Sequence, residues 1–175
     1  MRIVFITMFL MCAVSFAATG LAKGDSIPNF FVLAMDNETM LDKKGLREEA
    51  KKLGVKRVVL SFFATWCVNC KEEFVLLKKN ADKLKENGVL VHLVDVGEKI
   101  MKDGQKVSDF VKTYAGDSFP FWFDQNANLL KNFGFIERNA TEFHLPVIVV
   151  MDADLRVLKV FSEAGKDFPQ ILWSN

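Results

Sequence analysis

Cys67 and Cys70 stand two residues apart, with Val68 and Asn69 between them and Trp66 directly in front. If a helix begins here, positions i and i+3 share one face, close enough for a sulfur–sulfur bond of ordinary geometry. A cysteine at a helix start meets unpaired backbone N–H groups and the positive end of the macrodipole, and both favour the thiolate. A thiolate attacks a disulfide to give a mixed disulfide, which a second thiol one turn away can resolve. The spacing therefore assigns attack to Cys67 and resolution to Cys70. As a structural staple the pair would do little, because closing two intervening residues removes little entropy from the unfolded chain.

Metal binding is the competing chemistry for two cysteines. A zinc site would have to recruit His92 and His144, which lie far apart in the sequence, unlike the closely spaced histidines of a local finger. Copper(I) suits soft thiolates better, and His144, two residues before Pro146, is the third ligand it could use. A copper(I) carrier is thus the alternative outside enzymology. A thiol peroxidase, working through one exposed cysteine of low pKa, is the alternative enzyme. The expectation is that no metal or organic cofactor is needed, the redox group being the Cys67–Cys70 disulfide itself. His92 sits in an apolar run and reads as a core or edge histidine.

A reactive pair needs a strand to deliver it and a helix to follow. Arg57 to Ala64 contains the run VVLSFF, typical of a buried parallel strand. Beyond the cysteines, Phe74, Leu77, Ala81 and Leu84 recur at helical spacing, predicting a helix over Lys71 to Glu86 that Gly88 closes. Val89 to Val94 is a second buried strand. Asn29 to Ala34 reads as a strand, and Leu41 to Leu53 as an amphipathic helix stopped by Gly54. Val107 to Tyr114 is helical, Pro120 to Phe123 extended, and Asn128 to Phe133 helical again. Pro146 to Met151 and Leu155 to Phe161 flank Asp152-Ala153-Asp154 as a hairpin. The tail from Asp167 has room for a short helix only. This alternation predicts an α/β fold, a central mixed sheet flanked by helices with a C-terminal β-hairpin.

The start of the chain has another character. Arg2 is followed by an uncharged stretch to Ala22, strongly apolar as far as Phe16 and then rich in small residues. That order is a secretory signal, with an uncleaved anchor as the alternative. The expected division is a signal peptide over 1–22 and one domain over 23–175. Cys12 would leave with the signal, so the exported domain keeps only the reactive pair. The domain is expected outside the cytoplasm, in a periplasm or anchored to a membrane facing outward. A net charge of +1 and no basic stripe give no reason to expect nucleic acid, and a monomer is expected.

The order of several blocks resembles the extracytoplasmic thioredoxin-like proteins of the TlpA and ResA kind, over roughly Asn29 to Gly165. The likeness rests on Ser61-Phe62-Phe63-Ala64-Thr65-Trp66-Cys67 through Cys70-Lys71-Glu72-Glu73-Phe74, and on Val94-Asp95-Val96-Gly97-Glu98. It continues in Phe119-Pro120-Phe121-Trp122-Phe123-Asp124 and Leu145-Pro146-Val147-Ile148-Val149-Val150. The resemblance implies a thioredoxin-like fold and a thiol–disulfide oxidoreductase, often a reductant in cytochrome c maturation or a similar pathway. It implies protein thiols and disulfides as substrates, and a membrane thiol–disulfide donor or acceptor as partner. It makes Cys67 the attacking and Cys70 the resolving cysteine, Glu73 a proton-handling acid, and Pro146 a cis-proline facing the disulfide. Trp66 and Leu145 join Pro146 as expected substrate contacts. Departures are Val75, where the helix usually has a proline, a shortened end after Gly165, and Ser61. The last stands where cytoplasmic thioredoxins bury an aspartate, which shifts proton handling toward Glu73.

Overall fold

The computed structural model describes residues 20–137, 144–162 and 168–174. The expected signal segment lies outside them as far as residue 19. In chain order the elements are β1 (Phe31–Leu33), β2 (Met40–Asp42), α1 (Lys43–Leu53), β3 (Arg57–Phe63), α2 (Val68–Lys79) and α3 (Ala81–Glu86). There follow β4 (Val89–Val96), α4 (Ile100–Tyr114), β5 (Phe121–Asp124), α5 (Asn128–Asn132), β6 (Val147–Asp152) and β7 (Val157–Phe161), with single 3-10 turns at Gln125–Ala127 and Gln170–Leu172. The seven strands form one sheet in the order β2-β1-β5-β4-β3-β6-β7. Its centre, β5-β4-β3, is parallel, while β1, β6 and β7 run antiparallel to their inner neighbours. This is the expected mixed sheet, and β6 and β7 form the expected hairpin.

Alternation within the central strands decides what each layer buries. Val58, Leu60 and Phe62 of β3 point to one face, where α1 and α5 supply Leu46, Ala50, Leu129 and Leu130. Val59 and Phe63 point to the other, where α2 and α4 supply Phe74, Leu77, Val107 and Phe110. Being buried on both faces is what makes β3 and β4 read as nearly continuous apolar runs. On the α2–α4 face the rings of Phe63, Phe74 and Phe110 meet pairwise at 4.8 to 5.8 Å between centroids. That cluster ties both helices to β3 immediately before the cysteine loop.

Element limits shift for local reasons. The helix expected from Leu41 starts at Lys43, because Met40–Asp42 pairs with β1 and the Asp42 carboxylate caps the Gly45 N–H at 2.7 Å. Its end at Gly54, in the left-handed conformation, is as expected. The helix expected over Lys71 to Glu86 begins at Val68 and breaks at Asn80, whose side chain donates back to the Leu76 carbonyl. Helix α4 begins seven residues before the expected Val107; its polar first turns and Gly104 hide the apolar period there. Helix α2 continues through Val75, the position of the family's usual proline.

Candidate active site

Strand β3 ends at Phe63, and Ala64 to Trp66 carry the chain over the sheet edge to Cys67. Cys67 has extended backbone angles and is the N-cap of α2, its Sγ accepting the Cys70 N–H at 3.1 Å. A sulfur thus takes the place usually held by a Ser or Asp oxygen at a helix start. The two sulfurs are bonded, with Cα atoms 5.3 Å apart. Cys67 keeps 5% of its surface exposed and Cys70 none. Of the two cysteines, the first is the one that still meets solvent. Trp66 and Val68 flank it as exposed apolar side chains.

Cys70 and Glu73, three residues apart on α2, both face the sheet and are fully buried. Glu72 beside them is exposed. The Glu73 Oε1 accepts a hydrogen bond from the Ser61 hydroxyl of β3 at 2.6 Å. Its Oε2 has no partner among the described residues. Burial pushes the Glu73 carboxyl up to about 8, against a smaller downward pull from the Ser61 donor. At neutral pH it therefore carries a proton beside the disulfide. The reading of Ser61 and Glu73 together was made from the sequence, and the structure brings the two into contact.

Pro146 follows a cis peptide bond from Leu145. It precedes β6, whose Val147 lies opposite Phe62, so it sits at the end of the sheet where β3 delivers the cysteines. Leu145 packs on the cluster that contains Cys67 and Cys70. His144, the third ligand considered for copper, is exposed. Among the described residues no group of three or more His, Cys, Asp or Glu is arranged to hold a metal ion. His92 is a core histidine, hydrogen-bonded through Nδ1 to Trp122 Nε1 at 2.8 Å.

Three further residues at the site drew no role from the sequence. Thr65, two positions before Cys67, donates its N–H to Glu98 Oε1 at 3.2 Å and its hydroxyl to the same oxygen. Glu98 stands just after β4, and Asp95, fully buried, lies near the end of that strand. Both were visible only as part of a family-like block. The available signal was an acid inside the otherwise apolar run Val94 to Val96.

Fold and site together define the class: a thioredoxin-like thiol–disulfide oxidoreductase. The chain belongs to the Redoxin family, whose profile matches residues 22–172. It is 28% identical to the thiol-disulfide oxidoreductase ResA of Bacillus subtilis, across 89% of this chain and 80% of that one. With the ResA of Bacillus thuringiensis subsp. konkukian it shares 30% identity, across 78% and 67%. Among solved structures, the thioredoxin domain of a thiol-disulfide oxidoreductase from Bacteroides vulgatus superposes with a TM-score of 0.65 at 14% identity, covering 87% of this chain and 96% of that one. A thioredoxin-family thiol:disulfide interchange protein from Chlorobium tepidum gives 0.62 at 23%, covering 86% and 95%.

Proposed function

We propose that this protein works outside the cytoplasm on disulfides of other proteins, with Cys67 as the attacking and Cys70 as the resolving cysteine. The observation that carries the assignment is the bonded pair at the start of α2, of which only Cys67 keeps any surface exposed. In the reducing direction the Cys67 thiolate attacks one sulfur of a substrate disulfide. The substrate S–S bond breaks, a Cys67–substrate bond forms, and the other substrate sulfur leaves as a thiolate and takes up a proton. Cys70 then attacks Cys67 Sγ, closing the internal disulfide and releasing the second substrate thiolate. Two electrons pass to the substrate, and two protons follow them.

Glu73 is the group proposed to accept the Cys70 proton as that thiol attacks. Its carboxyl, raised to about 8 beside the finished disulfide, favours the protonated state that this step would leave. Exposed Trp66 and partly buried Leu145, with cis-Pro146, would frame the substrate chain around Cys67. The apolar start of the chain and the likeness to ResA support the location. They also support a role as reductant in cytochrome c maturation or a related pathway, recycled by a membrane thiol–disulfide partner. No helix among the described residues is long and apolar enough to cross a membrane.

Trapping tests the assignment. Cys70→Ser should accumulate mixed disulfides with substrate proteins, resolved by non-reducing electrophoresis, and Cys67→Ser should accumulate few. Equal trapping by the two variants would overturn it. The direction of electron flow follows from the reduction potential of the Cys67–Cys70 couple, measured against a glutathione or dithiothreitol buffer. A potential below that of the substrate disulfide supports the reductant role.

A further inference from the structure

A second buried carboxyl group lies on the same face of the sheet as Glu73 and takes no part in the exchange steps above. Asp95 is registered beside Phe63 of β3 and Phe123 of β5, where the three parallel strands end beneath the cysteine loop. Its neighbours two and four positions back, Leu93 and Val91, belong to the core under α2 and α4, so Asp95 shares their face. Glu98 follows after a turn at Gly97, which has a φ of 97° and suits glycine. Glu98 is near enough to push the Asp95 carboxyl up.

Their surroundings are unequal. Glu98 receives the Thr65 N–H and hydroxyl, and Lys106 Nζ of α4 stands 3.7 Å from its Oε1. Two donors and one ammonium group thus face the Glu98 carboxyl group. Asp95 meets no donor in good hydrogen-bond geometry at either oxygen among the described residues. A buried carboxylate with no well-aligned donor, beside a second carboxylate, is a costly arrangement. A proton on Asp95, donated to Glu98, removes the cost and satisfies both groups.

We propose that Asp95 is a positioning residue, which in its neutral form donates to Glu98 and so completes a clamp on Thr65 that fixes the backbone leading into Cys67. Burial and the Glu98 charge support this state by pushing the Asp95 carboxyl up to about 10, with Asp103 adding to the rise and the Glu98 backbone N–H opposing it. The clamp matters because the Cys70 N–H at the start of α2 meets Cys67 Sγ, a contact that would favour the thiolate once the disulfide opens. That N–H points at Sγ only while the residues before the helix hold their course. Loosening Thr65 would let the sulfur drift off the helix start and raise its pKa.

The test compares Asp95→Asn, whose amide can still donate to Glu98, with Asp95→Ala, which cannot. Infrared difference spectra of the oxidised protein at neutral pH, wild type minus Asp95→Asn, should contain the carbonyl stretch of a protonated carboxyl. Its absence overturns the shared proton, whatever the enzyme's activity. The kinetic arm acts through Cys67 and so rests on the exchange reaction proposed above. There Asp95→Ala should slow the reduction of a model disulfide by about fivefold, with a raised Cys67 pKa, and Asp95→Asn should stay near wild type. Equal slowing by both overturns the positioning role. Should Asp95→Ala not fold, Thr65→Val gives the same decision. It must slow exchange and raise the thiol pKa, and an unchanged pKa overturns the clamp. A wild type without exchange activity would instead refute the proposed function and leave the infrared result standing.

Discussion

The two faces of the sheet treat buried polar groups in opposite ways. On the α1–α5 face, His92 accepts from Trp122 Nε1 at Nδ1, and its Nε2 lies 3.3 Å from Glu49 Oε2, although off the line of a good hydrogen bond. The Trp122 bond fixes the neutral tautomer, with its proton on Nε2 facing the Glu49 carboxylate. On the α2–α4 face, Glu73 has one oxygen without a partner and Asp95 has two. The first arrangement settles charge, and Glu49 is held below its ordinary range, chiefly by its contact with His92. The second holds protons that water would take away. Both unsettled acids lie on the face that carries the cysteines, where two protons must move with each electron pair. His92, Glu73 and Asp95 are equally buried; the supply of donors is what separates a structural cluster from a reactive one.

Among these variants, removing Glu73's titration should have the largest effect on how stability depends on pH. Folded, the group keeps its proton up to about pH 8, against an ordinary value of 4.5. The native state therefore binds more protons between those values, and stability present below pH 4.5 is lost as the pH rises through 8. The loss across that window is about 3 to 5 kcal/mol in the oxidised protein. Chemical denaturation at a series of pH values should show a fall in wild type whose slope is about halved in Glu73→Gln, where Asp95 still holds its proton. Glu72→Gln, on the exposed side of the same turn, should keep the wild-type slope. If the two variants behave alike, Glu73 is not the proton-holding group of this face.

A middle-sized effect is expected across the sheet. Trp122→Phe leaves His92 Nδ1 buried with no donor and should cost about 1 to 3 kcal/mol in denaturant unfolding. Its disulfide exchange rate should remain within about twofold of wild type, since the settled cluster does no redox work. A large loss of exchange in Trp122→Phe would erase the distinction between the faces.

The smallest effect belongs to Glu49→Gln. Glu49 is more than one-third exposed, so solvent screens its contact with His92, and the change should cost no more than about 0.5 kcal/mol at pH 7. Because the Glu49 pKa is lowered on folding, the contribution is present above its unfolded value and fades as the pH falls through the folded one. Melting curves at pH 7 and pH 3 should therefore differ less between this variant and wild type at the lower pH.

Much of the site could be read before the structure because its signals are local. Two cysteines at i and i+3 between an apolar run and a helical period specify a strand, a turn and a helix start within about fifteen residues. Gly54 stopped α1, and the Asp152 to Asp154 turn closed the hairpin, for the same reason. Strand β2 escaped notice because its three residues carry no period of their own. It exists by pairing with β1.

What the sequence alone determined is the reactive pair, its place at a helix start, and the buried strands that make the fold an α/β sandwich. Short-range periodicity and spacing encode these directly. The family pattern pointed to Glu73, and only the tertiary structure gave the acids their surroundings. Glu72 and Glu73 are adjacent and chemically alike, yet one is solvated while the other meets Ser61 from a different element. Asp95 and Glu98 came together on opposite sides of a turn, and Thr65 joined them from the end of the neighbouring strand. A carboxyl group's proton affinity is set by the water it loses and the donors it meets. Those come from residues distant in the chain, so no local pattern records them.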